Sequence, residues 1–262
     1  SSVDTHVHVQ SQGDLTLKGK NLLVSAVLGS GNSAATSYAV AGGGGLLLGT
    51  QGAAAVSTNT GSVGVDLVDG AHLTAAADVG ISSSDSMRVA SDVTGVGAGF
   101  VGVGVAVALS DSSTTVSTNA GALAGRVQGN LSVTARGDEV IEADAVAGSG
   151  GVIAGAGAQA DVDHVQVVSA TARTVGAGIT VDGVTTLSAD RKVRYDSQTE
   201  TINASALGAS GAVTTASLTG SATALLDDQS RLTGRQLRVL ATNDVERLDL
   251  AAASARGGGG GG

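Results

Sequence analysis

The sequence predicts an all-β fold, a right-handed parallel β-helix (β-solenoid) built from repeats of about 52–58 residues, and three observations carry that prediction. The first is a recurring signature, a glycine followed by two apolar positions separated by one residue. It occurs as Gly13-Asp14-Leu15-Thr16-Leu17, Gly70-Ala71-His72-Leu73-Thr74-Ala75, Gly129-Asn130-Leu131-Ser132-Val133, Gly183-Val184-Thr185-Thr186-Leu187 and Gly234-Arg235-Gln236-Leu237-Arg238-Val239. With Leu15, Leu73, Leu131, Thr185 and Leu237 as equivalents, successive copies lie 58, 58, 54 and 52 residues apart. The second observation is that aromatic residues make up 1% of the chain, so an apolar share of 42% is carried by Ala, Val, Leu and Ile. A thick globular core normally contains large aromatic side chains; small and β-branched groups suit a narrow bore. The third is the absence of proline from all 262 residues, which fits stacked strands because each interior proline removes a ladder hydrogen bond. The 41 glycines, with abundant Ser, Thr, Asn and Asp, supply turns. Gly, Val and Thr interrupt every Ala-rich stretch and weigh against long helices.

Repeats of this length are expected to contain several coils, either three of about 19 residues or two larger ones. Three per repeat give roughly fourteen coils and a rod on the order of 65 Å long, wound right-handed as parallel crossovers are. The array reads as one continuous solenoid over residues 1–262, excerpted from a longer repetitive protein. Residues 257–262 form a Gly-rich end that is either the start of a further repeat or a linker.

Along the chain, Val3, Thr5, Val7 and Val9 alternate as in a strand, with Asp4, His6 and His8 on its other face. Two imidazoles at that spacing can share a divalent ion, but no fourth ligand is visible and no other copy repeats the pair. The expectation is an exposed edge without a metal. In the second repeat Val101, Val103, Val105, Val107 and Leu109 share one face and are expected to line the bore. Gly102, Gly104, Ala106 and Ala108 share the other, a nearly bare backbone that forms a candidate packing face for another sheet or chain. The competing reading is that these small residues relieve crowding inside a tight coil.

In the third repeat Arg136-Gly137-Asp138 spells the tripeptide read by integrins, placed where a turn should follow the Leu131–Val133 strand. These three residues are the candidate receptor-binding site; the plainer reading is a charged turn. Glu142 and Asp144 share a strand face at the separation of paired glycosidase carboxylates, but lack aromatic platforms and a basic partner nearby. In the fourth repeat Val213, Thr215, Ser217, Thr219, Ser221 and Thr223 make a solvated, hydroxylic face. Arg191-Lys192-Val193-Arg194 is the one basic cluster and reads as a solvated face.

A net charge of −9 argues against a nucleic-acid partner and against docking on anionic lipid. No stretch is long and apolar enough to predict membrane insertion. The N-terminus opens mid-pattern and does not read as a signal peptide. The absence of cysteine removes disulfides and thiolate metal sites. No Gly-Gly-x-Gly-x-Asp calcium repeat and no phosphate-binding Gly-Lys-Ser/Thr loop is present, so no catalytic residue and no cofactor is called for.

The Gly/Ala clusters followed by alternating Val/Ala (Gly42 to Val56, Gly97 to Leu109, Ala147 to Val162, Ala206 to Leu225), with strands such as Gly129 to Val133, resemble the repeat regions of large bacterial surface adhesins of the filamentous-haemagglutinin and leukotoxin-like type. The resemblance covers essentially the whole chain and rests on composition and period. It implies a right-handed parallel β-helix serving as an exported, non-catalytic shaft, secreted or on the cell surface outside the outer membrane. Its implied partners are further copies of the same repeat or protein, and a host-cell, matrix or polysaccharide surface. The alternatives are a module whose lateral face binds polysaccharide or ice, and, third, a polysaccharide-active β-helix enzyme.

Overall fold

The computed structural model describes residues 2–11, 15–17, 20–29, 33–67, 73–75, 77–248 and 254–259. They form an all-β parallel solenoid. Its strands are β1 (Ser2–Ser11), β2 (Leu15–Leu17), β3 (Leu22–Leu28), β4 (Ala34–Gly44), β5 (Leu48–Leu67), β6 (Leu73–Ala75), β7 (Val79–Ala98), β8 (Val101–Val127), β9 (Leu131–Leu226), β10 (Leu232–Arg247) and β11 (Ser254–Gly259). Every pairing is parallel, with partners 51 to 58 residues apart: Leu15 faces Leu73, Val101 faces Ile153, and Leu123 faces Thr174.

One repeat is therefore one coil. The expected subdivision into coils of about 19 residues does not occur, because the Gly- and Ser-rich stretches that resemble turns continue as extended strand. β7 alternates inward and outward for 20 residues without a break, and β9 runs 96 residues, nearly two coils. In place of a thin rod of fourteen coils, the chain makes a broad slab about five coils tall, on the order of 20–25 Å. Each coil folds back on itself as two arms. One arm stacks β3 and β4, β7, then residues 131–150 and 184–204 of β9, then β10 and β11; the other stacks β1, β5, β8, and residues 153–172 and 209–226 of β9. Arms of 20 residues are about 65 Å long at the usual strand rise.

The signature copies stack with one exception. Leu15 faces Leu73 and Thr185 faces Leu237, but Leu131 lies against Val79. The second coil has residues to spare between its signature and its long arm strand, which shifts the register there.

The slab is a wedge, and its taper follows side-chain size. Beside one bend, a cluster including Val65, Ile81, Leu123, Leu131, Ile179 and Leu187 holds the arms apart. Farther along, alanines dominate the interior, among them Ala106, Ala108, Ala143, Ala145 and Ala158. At the opposite bend the interior is glycine: a Cβ on Gly97 would overlap the Val103 carbonyl, and one on Gly104 would overlap the Gly148 carbonyl. The backbones of the two arms touch there, so any side chain would force them apart.

This geometry reverses the expected orientation of the second repeat. Gly102, Gly104, Ala106 and Ala108 point inward and are buried, while Val105 is 41% exposed and shares the outer face with Val101, Val103, Val107 and Leu109. Small residues fill the interior because it is too thin for valine at that end.

A polar ladder joins one corner of the first four coils. Asn21 Oδ1 accepts from the Asp78 amide, Asp78 Oδ1 accepts from the Asn130 amide at 2.7 Å, and Asn130 Oδ1 accepts from the Val184 amide at 2.9 Å. Each side chain thus satisfies a backbone donor of the next coil at a bend, where sheet pairing cannot.

Candidate functional site

The chemically richest region lies inside the slab, between the leucine-rich and alanine-rich cores. On strands whose inward positions are otherwise small or apolar, the same parity brings in Asp85, Glu139 and Arg191 from one arm, and Ser112, Thr114, His164 and Gln166 from the other; all are buried. Glu139 faces Met87 in the coil below, and Arg191 faces Asn243 in the coil above. Ser112 lies between Asn59 and His164 in the same way. Glycine provides the room: a Cβ on Gly137 would overlap the Gln166 amide, and one on Gly220 would overlap the Arg191 guanidinium.

Glu139 is the hub. Its carboxylate accepts from Ser112 Oγ at 2.7 Å, from Thr114 Oγ1, from Gln166 Nε2 at 2.9 Å and from His164 Nε2 at 3.2 Å. The other imidazole nitrogen, Nδ1, lies 3.1 Å from Arg191 Nη2. Because a guanidinium only donates, Nδ1 accepts and Nε2 carries the hydrogen given to Glu139. Arg191 also donates to Asn243 Oδ1 at 2.6 Å and to the Thr219 carbonyl at 3.2 Å. At the lower end Asn59 Nδ2 donates to Ser112 Oγ at 3.1 Å. The result is a hydrogen-bonded seam across the coils, Asn59–Ser112–Glu139–His164–Arg191–Asn243.

The ionisation states follow from this geometry. Burial works to raise the Glu139 carboxyl, but the hydrogen bonds from His164, Asp85 and Thr114 outweigh it and hold the group well below its ordinary 4.5. Burial foremost, then the adjoining Glu139, push Asp85 from its ordinary 3.8 up to about 9. The Ser86 amide opposes that rise only in part; facing another carboxyl group, Asp85 can bond Glu139 only by carrying a proton. Burial pulls Arg191 down from 12.5, with Glu139 opposing. One carboxylate and one guanidinium thus balance each other in the interior, and Asp85 is neutral.

A Glu–His pair is a component of nucleophilic catalysis, but this one cannot act that way. The imidazole nitrogen that would activate a nucleophile is occupied by Arg191, the nearby Ser112 and Thr114 hydroxyls donate to Glu139, and Glu139 and His164 have no exposed surface. The arrangement is suited to fixing neighbouring coils to one another.

The candidates read from the sequence lie elsewhere. Arg136-Gly137-Asp138 sits within β9 and not in the expected turn, since the strand continues through it. Gly137 faces inward, while Asp138 is paired with Arg194 at 2.9 Å and with Arg136 at 3.6 Å. Glu142 and Asp144 do share the outer face, but Glu142 is paired with Arg88. Asp144 is raised by burial and then by Asp92, Asp196 and Glu200. The Arg191–Arg194 cluster is split by strand alternation, with Arg191 inside and Lys192 and Arg194 outside. Thr215, Thr219 and Thr223 are exposed as expected, over a coil that carries Asp163, Val165 and Val167 on the same face. For Asp4, His6 and His8 the register alone is defined: they lie opposite Thr60, Ser62 and Gly64. Among the described residues no cluster of three metal-ligating side chains occurs, and no helix is long and apolar enough to cross a membrane.

The seam escaped sequence reading, yet a signal for it was present. Glu139 is in phase with inward Leu131, Val133, Ala135, Ile141 and Ala143, and Arg191 with Leu187, Ala189 and Val193. A charge in phase with a buried face marks an interior partner.

One surface recess, of about 580 Å³ and open to solvent, lies at a bend where β9 bulges opposite β10 and is lined by Gln128, Asp182 and Arg235, among others. Asp182 is held there by Arg126 through a two-pronged ion pair at 2.9 and 3.1 Å. No family model matches the chain, and no match is found among curated proteins or solved structures.

Proposed function

We propose that this chain is a structural, non-catalytic segment of an exported bacterial adhesin or extracellular filament, acting through strand stacking and self-association. The observation that carries the proposal is the identity of repeat and coil. When each repeat of about 52 residues closes one full coil on the last, length is added simply by adding copies, and stability comes from neighbour contacts. The burial of the acid–base residues in a seam without an entrance supports the same reading. The outer edge of β10 extends it, since among the described residues no strand pairs it on the side away from β9, and an open parallel edge accepts a further coil. Placement outside the cell and a shaft role rest on the resemblance to large surface adhesins.

Electron microscopy and fibre diffraction of the purified protein test this. Slabs or rods with a 4.8 Å axial repeat are the expected result. A compact particle that cleaves acidic glycans would refute it.

A further inference from the structure

We infer that the glycine-rich bend of the slab is a homodimer interface, at which two copies of this chain join edge to edge through an apolar ridge. The inference deepens the self-association reading above by naming its surface. At that bend four successive coils put large apolar side chains outward: Leu46 (94% exposed) and Leu47 in the first, Phe100 (52%) in the second, Val152 and Ile153 in the third, and Leu207 (67%) in the fourth. They lie in one line along the slab's narrow edge, because the bends stack: the Val101 amide donates to the Leu47 carbonyl, and the Val152 and Ile153 amides donate to that of Phe100. The backbone is thus already satisfied, and the surface on offer is hydrocarbon.

Weighted by exposure, these six side chains present on the order of 600–700 Å² of apolar surface, about what one partner contributes to a small stable interface. Isolated exposed leucines are ordinary, but a continuous patch of this size is not. The surroundings favour it further. Residues 39–65, 93–110, 145–160 and 201–226 contain no Asp, Glu, Lys, Arg or His, so the whole wedge tip is uncharged in four successive coils. The nearest charges, such as Asp92, Asp144 and Glu200, are at least seven residues up the arms, roughly 23 Å away. Two copies meeting at their tips keep their acidic columns apart by several Debye lengths, about 8 Å each at physiological salt. The net charge of −9 therefore does not oppose this contact, although it opposes face-to-face packing of the acidic arms.

The partner that fits is a second copy. The ridge has the same character in these four coils, so its inverted image matches it, and a two-fold axis between the second and third coils sets Phe100 of one chain against Val152 of the other. Such a contact is self-complementary and closed.

Sedimentation equilibrium of the intact chain should show a dimer that Phe100→Asp or Val152→Asp weakens at least tenfold, with an unchanged far-ultraviolet circular dichroism spectrum. The chain has no cysteine, so single cysteines report contacts directly. A mixture of Phe100→Cys and Val152→Cys chains should give a disulfide-linked dimer on mild oxidation, while Thr115→Cys, on the outer face of an arm, should give no disulfide-linked dimer. Three results would overturn the inference: a monomeric wild-type chain at 100 μM, a dimer indifferent to both aspartates, or a monomer that binds neutral phosphatidylcholine vesicles through the ridge. None depends on whether rods form, so the interface can fail while the shaft reading stands, and the converse.

Discussion

Replacing Asp85 with asparagine should stabilise the protein, although the substitution falls in the most densely hydrogen-bonded part of its interior. Asp85 is buried and raised to about 9 by burial and by Glu139, so the folded chain holds a proton at pH 7 that the unfolded chain has released. Taking the ordinary value of 3.8, 3.2 pH units at 1.36 kcal/mol each come to about 4 kcal/mol. That cost is set by the unfolded pKa and by pH, provided the folded pKa lies above 7. Asparagine carries no such cost and keeps an N–H to offer Glu139. After about 1 kcal/mol for a less well-placed hydrogen bond, Asp85→Asn should gain about 2–3 kcal/mol at pH 7. The sign fixes the pH window. A raised folded pKa means that the native state binds more protons than the unfolded state above pH 3.8, so wild-type stability falls as pH rises through neutrality. The gain from the substitution therefore shrinks towards zero near pH 4. Glu139 is lowered, and its contribution is lost only as pH falls below 4.5, outside that window. Urea denaturation of both proteins at pH 5, 6, 7 and 8 measures the difference. A destabilised Asp85→Asn, or a difference independent of pH, would refute the reasoning.

Further outcomes follow from the same geometry. Glu139→Gln leaves Arg191 as an uncompensated buried charge and should cost about 3–5 kcal/mol; adding Arg191→Met should restore much of it, as a double-mutant cycle in urea would show. Gly104→Ala drives a methyl into the Gly148 carbonyl of the neighbouring coil and should cost about 1–3 kcal/mol. Gly157→Ala, whose Cβ meets nothing within 4 Å, should leave stability unchanged or raise it by up to about 1 kcal/mol, read from the urea denaturation curve. Asn130→Ala removes the acceptor of the Val184 amide and should cost about 1–2 kcal/mol, with faster amide exchange at Val184 as its local signature.

What the sequence disclosed of this fold is its class and its period, because both are set by features that survive averaging. A missing proline, a recurring Gly-x-Leu strand and alternating small residues give parallel pairing whatever the coil size. The coil size itself was hidden because glycine has two uses. In the sequence the glycines read in general as turn formers, and Gly102 and Gly104 as an outward packing face, but here they let two backbones meet along an extended arm. The same ambiguity reversed the valine face. Hydrophobicity would put Val105 inside, yet the tip of the wedge has no depth for it, and depth is a property of the opposite arm. Arg136-Gly137-Asp138 misled for a related reason: Gly137 makes room for Gln166, 29 positions along the chain and on the other arm.

A solenoid whose interior is mainly alanine and valine has a weakness that the polar seam addresses. Period-two alternation is preserved when a strand slides by two residues, so arms such as 141–147 or 154–160, with Ala at nearly every inward position, do little to set the register of one coil on the next. The seam does not tolerate sliding. A two-residue shift of residues 131–150 would carry Glu139 away from His164 and Ser112 and leave Arg191 buried without a countercharge, at a cost of several kcal/mol. Gly137 would move off the Gln166 side chain it accommodates, so the shift would add steric overlap to the electrostatic loss. The Asn21–Asp78–Asn130 ladder applies the same restraint at the corner, through side-chain oxygens that accept from backbone amides. Restoring stability with the Glu139→Gln, Arg191→Met pair should therefore not restore order: hydrogen exchange or NMR should find more than one arm register in the double variant and one in the wild type. A single register in the double variant would mean that the corner ladder alone sets the alignment.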